Sequence, residues 1–195
     1  MNSRDQLLER LRSPADGGAQ QEARTAELVA QLEREQPADL SRDGALLKGV
    51  WELGWSSARQ PWLRQGPWLD NLQVLDPERG RGMNLLRLRG PLGELAAIAV
   101  VARLRVCGAQ RVEVCFERGG WIGPQLGAWR PDLLLAVRQS FPAWLDMTVL
   151  DDQLRICRGS AGTSFALLRR PDLTVETLLG RFSDAADPAP RPPRP

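Results

Sequence analysis

The stretch Ala143-Trp144-Leu145-Asp146-Met147-Thr148-Val149-Leu150-Asp151-Asp152-Gln153-Leu154-Arg155-Ile156-Cys157-Arg158-Gly159-Ser160-Ala161-Gly162-Thr163-Ser164-Phe165-Ala166-Leu167 decides the fold. Three apolar-rich runs are separated by two groups of turn residues, Asp151-Asp152 and Gly159 to Gly162. Leu145, Met147 and Val149 alternate with Asp146 and Thr148, the period of two that gives a strand one apolar face. A two-residue turn at Asp151-Asp152 sets Val149 opposite Leu154 and Met147 opposite Ile156. A hairpin closed by Gly159 to Gly162 then sets Ile156 opposite Phe165 and Leu154 opposite Leu167. The spacing predicts two inward apolar rows across an antiparallel meander, Met147–Ile156–Phe165 and Val149–Leu154–Leu167. The same register turns Arg155 outward and Arg158 inward. An inward Arg158 either anchors a ligand head group or pairs with Asp146, Asp151 or Asp152, because an unpaired buried charge is costly.

Upstream, the same period begins at Gly49. Trp51, Leu53 and Trp55 alternate with Glu52 and Gly54, and Leu86 and Leu88 with Arg87 and Arg89. Ile98, Val100, Ala102, Leu104 and Val106 oppose Arg103 and Arg105, and Val112, Val114 and Phe116 alternate with Arg111, Glu113 and Glu117. About seven to nine such strands favour a closed antiparallel β-barrel, since closure removes exposed edges. The inward side chains either fill it or line a cavity; the cavity candidates are Trp51, Trp55, Leu86, Leu88, Ile98, Val100, Val114, Phe116, Met147, Ile156, Arg158 and Phe165. Pairing Val106 with Val112 leaves Cys107 and Cys115 outward and about four positions apart, too far to bridge. Both read as free thiols, and Cys157 likewise.

Residues 1–45 form an N-terminal helical arm, 46–170 the barrel, and 171–195 a short helix followed by a disordered Pro/Arg-rich tail. The arm carries two short apolar stripes, Leu7, Leu8 and Leu11, then Leu28, Val29 and Leu32, separated by Pro14 to Gly18 and ended by Pro37. Helices this short need a surface to dock on, either the barrel or a partner or membrane. The tail, Pro188 to Pro195, suits an extended polyproline conformation.

What the 195 residues lack is equally informative. The chain has no His, which removes the imidazole of most nucleophilic triads and the commonest metal ligand. Its three Cys show no C-x-x-C spacing, and no Gly-rich run has the spacing of a nucleotide cradle. No catalytic residue, metal or cofactor is therefore expected. The N-terminus is charged rather than signal-like, and the longest apolar run, Leu95 to Ala102, is far short of the ~20 residues of a spanning helix. A reducing, cytoplasmic location follows, with peripheral attachment to a membrane as an option.

Two further features bear on partners. Trp62, Trp68, Trp121 and Trp129 fall in Gly/Pro-rich stretches and either form a lipid-touching barrel mouth or pack over the barrel ends. Residues 79–118 hold eight Arg against three Glu, whereas residues 1–40 hold five Arg against eight Asp and Glu. Arg87, Arg89, Arg103, Arg105 and Arg111 share outward parity, which makes either a patch for anionic head groups or an ordinary solvated face. Trp62, Trp68, Trp121, Arg87, Arg103 and Arg105 are the membrane-contact candidates. Nucleic acid is not expected, since aromatics are not interleaved with these Arg as a single-strand platform requires.

Two stretches resemble the plastid lipid-associated protein, or fibrillin, family. Leu46-Leu47-Lys48-Gly49-Val50-Trp51-Glu52-Leu53-Gly54-Trp55-Ser56-Ser57 is similar to its "L-x-G-x-W-x-L-x-Y-[ST]-[ST]" opening strand, with Trp55 in place of the usual Tyr. Leu150 to Phe165 is similar to its closing "L-D-x-x-L-R-I-x-R-G-x-x-G-x-x-F" hairpins, with Cys157 where Ser is frequent. The likeness spans about residues 4 to 170. The chain shows no transit peptide, which points to a cyanobacterial-type homologue. The resemblance implies a lipocalin-like barrel at thylakoids or lipid droplets that binds lipids, quinones or carotenoids, with no established catalytic residues. The alternatives are a bilin lyase on the same barrel, or a filled-barrel scaffold that acts through its helices.

Overall fold

The computed structural model describes residues 2–13, 18–58, 68–90, 93, 96–124, 131–139 and 142–183; Trp62, Trp129 and the Pro-rich tail lie outside the described residues. The arm is α1 (Ser3–Arg12) and α2 (Ala19–Glu35), followed by a single turn α3 (Leu40–Asp43) and a 3-10 turn at Gly44–Leu47. Among the described residues nine strands follow: β1 (Gly49–Ser56), β2 (Leu69–Asp76), β3 (Arg81–Leu88), β4 (Ala97–Cys107), β5 (Arg111–Ile122), β6 (Asp132–Ala136), β7 (Ala143–Leu150), β8 (Leu154–Gly159) and β9 (Ser164–Arg169). A last helix, α4, spans Val175–Ser183.

All nine strands form one antiparallel sheet in the order β4-β3-β2-β1-β9-β8-β7-β5-β6, and β4 also pairs with β5. That extra pairing links eight strands in a cycle, so the sheet curls into the expected barrel-like ring. The closing strand β5 divides its free edge. It pairs with β7 over Arg111–Val114 and with β6 over Arg118–Ile122. Between them, the Phe116 amide donates to the Gln139 side chain (2.7 Å) and the Val137 amide to the Glu117 carbonyl (2.9 Å). Every stretch of that edge is therefore occupied, as an edge must be to avoid self-association.

Three hydrophobic clusters organise the molecule. Inside the lower half of the barrel, where β1, β3, β5 and β8 begin, lie Trp51, Leu53, Leu75, Leu104, Val112, Met147, Leu150, Cys157 and Leu167, capped from below by Ala38, Leu40 and Leu47. The outer face of β7, β8 and β9 contributes Val149, Leu154, Ile156 and Ala166 to a second cluster with Leu7, Leu8, Leu11, Leu28, Val29 and Leu32 of the arm. The outer face of β1 to β4 buries Val50, Leu72, Val74, Met83, Leu85 and Ala99 under Val175, Leu178 and Leu179 of α4. Both terminal helical segments thus pack on the barrel.

The barrel is as expected, but the register of its last three strands is not. Met147 pairs with Cys157, Val149 with Ile156, Ile156 with Ala166 and Cys157 with Phe165. Three local causes act. Asp151 precedes the turn instead of occupying it, because its carboxylate accepts from the Gln153 and Leu154 amides at 2.7 and 2.8 Å. A bulge at Thr148 flips Val149 to the outer face. The β8–β9 hairpin is one residue longer than expected, with the Gly159 amide donating to the Thr163 carbonyl and Gly162 at φ +79°, a conformation that favours glycine. The predicted row Met147–Ile156–Phe165 is therefore broken: Met147 and Phe165 lie inside, while Ile156 lies under the arm. Arg155 points inward and Arg158 outward, the reverse of the sequence expectation, and Cys157 is an inward thiol.

Candidate functional site

The inner face of the barrel changes character along its length. Reading across the register, Trp51, Gln73, Asn84, Val100, Gly119 and Leu135 form one rung from β1 through β6. The next rung toward the wide end runs Asn71–Leu86–Ile98–Trp121–Leu133. In the filled half of the barrel, Trp51, Met147, Cys157 and Leu167 are fully buried. Toward the wide end the same parity leaves Ile98 53% exposed, with Leu88, Trp121 and Leu133 also exposed, and Leu135 of the first rung is exposed as well. These side chains project from the concave face, so they form an apolar wall that water can reach. The long connections leaving β1, β3 and β5 all depart from this end.

Of the cavity candidates, Leu86, Leu88, Ile98 and Val100 lie on this inner face toward its wide end, with Phe116 on the same face, while Val114 and Phe165 face inward but pack against the filled half. Trp51 and Met147 face inward as well but belong to the filled lower half. Three candidates are corrected. Trp55 is turned outward by a bulge at Gly54, packs against the arm and donates from Nε1 to Glu22 at 2.7 Å. A Cβ at Gly54 would stand 3.0 Å from the Leu11 side chain of α1, so any larger residue there makes that side chain give way. Ile156 is sealed beneath the helices, and Arg158 reaches outward to an ion pair with Glu33 of α2.

The membrane-contact candidates do not form one surface. Trp68, 76% exposed, and Trp121 stand at the wide end. Arg103 and Arg105 lie on the outer face nearer the other end; seven residues of β4 separate Ile98 from Arg105, about 23 Å at strand rise. Both are exposed but paired, Arg103 with Glu117 and Arg105 with Glu113, as is Arg111 with Asp146. Arg87 is mostly covered and bridges to Asp70, which is itself 1% exposed. The supposed basic face is largely a lattice of cross-strand ion pairs.

Sequence reasoning missed two things. One is the network at Asp70, which receives Arg87, Arg89 and Arg170, while Arg89 and Arg170 also meet Glu52. Its members come from β1, β2, β3 and the end of β9, so no local spacing signals it. The other is the interior of the lower half. Trp51 donates from Nε1 to the Leu47 carbonyl at 3.1 Å, and the Arg169 guanidinium lies 4.5 Å from the Trp51 ring centroid while bonding the Leu46 and Lys48 carbonyls. The Arg155 guanidinium lies 5.2 Å from the same ring. Burial pushes Arg155 down to about 10, with Cys157 opposing that shift and Arg169 adding to it. Burial pushes the Cys157 thiol up, which leaves it neutral and unreactive.

The profile of the PAP fibrillin family matches residues 5–168, which takes in the arm and the whole barrel. The chain belongs to the PAP fibrillin family. A curated relative, the light-induced protein, chloroplastic, of Solanum tuberosum, is 28% identical over 75% of this chain. The chain spans 60% of that protein's length. No solved structure matches. Membership makes the chain one of a family of plastid lipid-associated proteins. Among the described residues no helix is long and apolar enough to cross a membrane.

Proposed function

We propose that this fibrillin is a non-catalytic binding protein for an apolar small molecule or lipid of isoprenoid, quinone or carotenoid type, loaded through the wide end of its barrel. The observation that carries this reading is the rung Leu86–Ile98–Trp121–Leu133, apolar on the concave side yet open to water. Covering such side chains stabilises a complex by about 1.5–3 kcal/mol for each one fully buried. The lipid association of the family agrees with it. The working place is the surface of a thylakoid membrane or lipid droplet, where Trp68 and Trp121 rest at the polar–apolar boundary. The lyase alternative is disfavoured by thiol placement, because Cys157 is sealed in the core and Cys115 lies on the outer face.

Titration of the full chain with all-trans-retinol, an isoprenoid probe whose fluorescence rises in apolar surroundings, tests the reading. Saturable uptake of one equivalent is expected. Ile98→Asp should weaken it at least tenfold while leaving the melting temperature nearly unchanged. Absence of uptake, or equal affinity in the variant, contradicts the proposal.

A further inference from the structure

Arg155 is the one fully buried Arg among the described residues, at 0% exposure. Its side chain leaves β8 on the inner face and donates from Nη2 to the Gln73 side-chain oxygen. The other two guanidinium nitrogens, Nε and Nη1, are buried with no hydrogen-bond partner. The titratable groups that act on it are Cys157 and Arg169; the first is a neutral thiol and the second another cation. Guanidinium does not shed its proton in proteins, so the cation stays. A buried cation without a counterion is strongly unfavourable, and native structures pair such groups. Every other buried ionised side chain described here has such a pairing, as Asp70 and Asp76 do with their Arg partners.

The position of the unpaired groups is informative. Gln73, which holds Arg155, occupies the rung beside Asn84, and Asn84 is exposed on the same inner face. One step further toward the wide end lie Leu86 and Ile98. From the mouth inward, the surface therefore runs from apolar side chains through two amides to a cation. That polarity sequence is the complement of an amphiphile entering head first.

We propose that Arg155 is the head-group anchor for a long-chain carboxylate whose tail lies along Leu86, Val100 and Ile98. This deepens the ligand reading above and rests on it. The head is small because the guanidinium is itself 0% exposed, with the Trp51 ring 5.2 Å away and the buried Cys157 beside it. A carboxylate is the most compact anionic head a lipid carries, and a charge-assisted bond to Arg is short and strong. A phosphate head offers the same charge with more bulk, and the test separates the two.

The experiment compares cis-parinaric acid with its methyl ester, both read by their own fluorescence, on delipidated full-length protein at neutral pH. Hexadecyl phosphate and palmitate then compete for the bound probe. The acid should bind the native chain at least tenfold more tightly than the ester. In Arg155→Met that ratio should fall to about threefold or less with ester affinity retained, and the melting temperature should hold or rise because an unpaired charge has gone. Should the variant fail to fold, the acid-to-ester ratio in the native chain decides alone. Equal binding of acid and ester overturns the anchor while leaving the apolar-ligand reading intact; binding of neither overturns the anchor, and failure to take up retinol as well overturns both. Stronger competition by hexadecyl phosphate than by palmitate overturns the carboxylate.

Discussion

In one half of the barrel the interior is packed by Trp51, Leu104, Met147, Leu150, Cys157 and Leu167, whereas in the other half β3 and β4 carry Leu88 and Ile98 into water. One set of strands thus serves two purposes, and the alternating pattern is identical in both halves. What differs is what lies opposite. The lower half is closed by the Leu40 and Leu47 plug and by the β5–β7 pairing, while in the upper half β5 leaves β7 for β6. Packing, not side-chain type, separates a core position from a binding position.

Substitution across this divide should separate stability from binding. Trp51→Ala removes the largest fully buried side chain and should cost about 3–5 kcal/mol in denaturant unfolding. Met147→Ala, in the same half, should cost about 2–5 kcal/mol. Ile98→Ser in the upper half should change stability by less than about 1 kcal/mol, because the side chain is already half in water. An equal cost in both halves would erase the distinction.

The arm provides a smaller effect with a defined pH dependence. Burial alone would raise the carboxyls of Asp151 and Glu33, but Arg4 with the Gln153 and Leu154 amides for Asp151, and Arg158 with Thr148 for Glu33, outweigh it and hold both below their ordinary range. Their contribution is present above the unfolded carboxyl value, roughly 4, and is lost as pH falls through the lower folded value. Asp151→Asn combined with Glu33→Gln should therefore flatten the acid side of the melting curve and cost about 1–2 kcal/mol near neutrality. A curve parallel to that of the native chain would rule out these clamps as the source of acid sensitivity. Smallest of all, Arg105→Ala breaks an exposed pair and should shift stability by under about 0.5 kcal/mol.

The strands whose parity was legible in sequence are those with a polar outer face. Arg103 and Arg105 mark the outside of β4, and Arg111, Glu113 and Cys115 that of β5, so Ile98 to Val106 and Val112 to Phe116 were placed correctly. Over 147–168 both faces are apolar, one turned to the barrel and one to α1 and α2, so alternation cannot tell them apart. One bulge and one extra hairpin residue then decided which set went inside. The same ambiguity hid Met83 and Leu85, which face α4. The opening of the upper half was not legible at all, since it depends on where β5 changes partner.

The central claim is that the upper inner wall holds the ligand. Photolabelling of the full chain with a diazirine-bearing isoprenoid, followed by peptide mass spectrometry, tests it most directly. The labels should fall on Leu86, Leu88, Ile98, Val100 and Trp121. Labelling confined to the helices of the arm, or spread evenly over the outer faces, would contradict it.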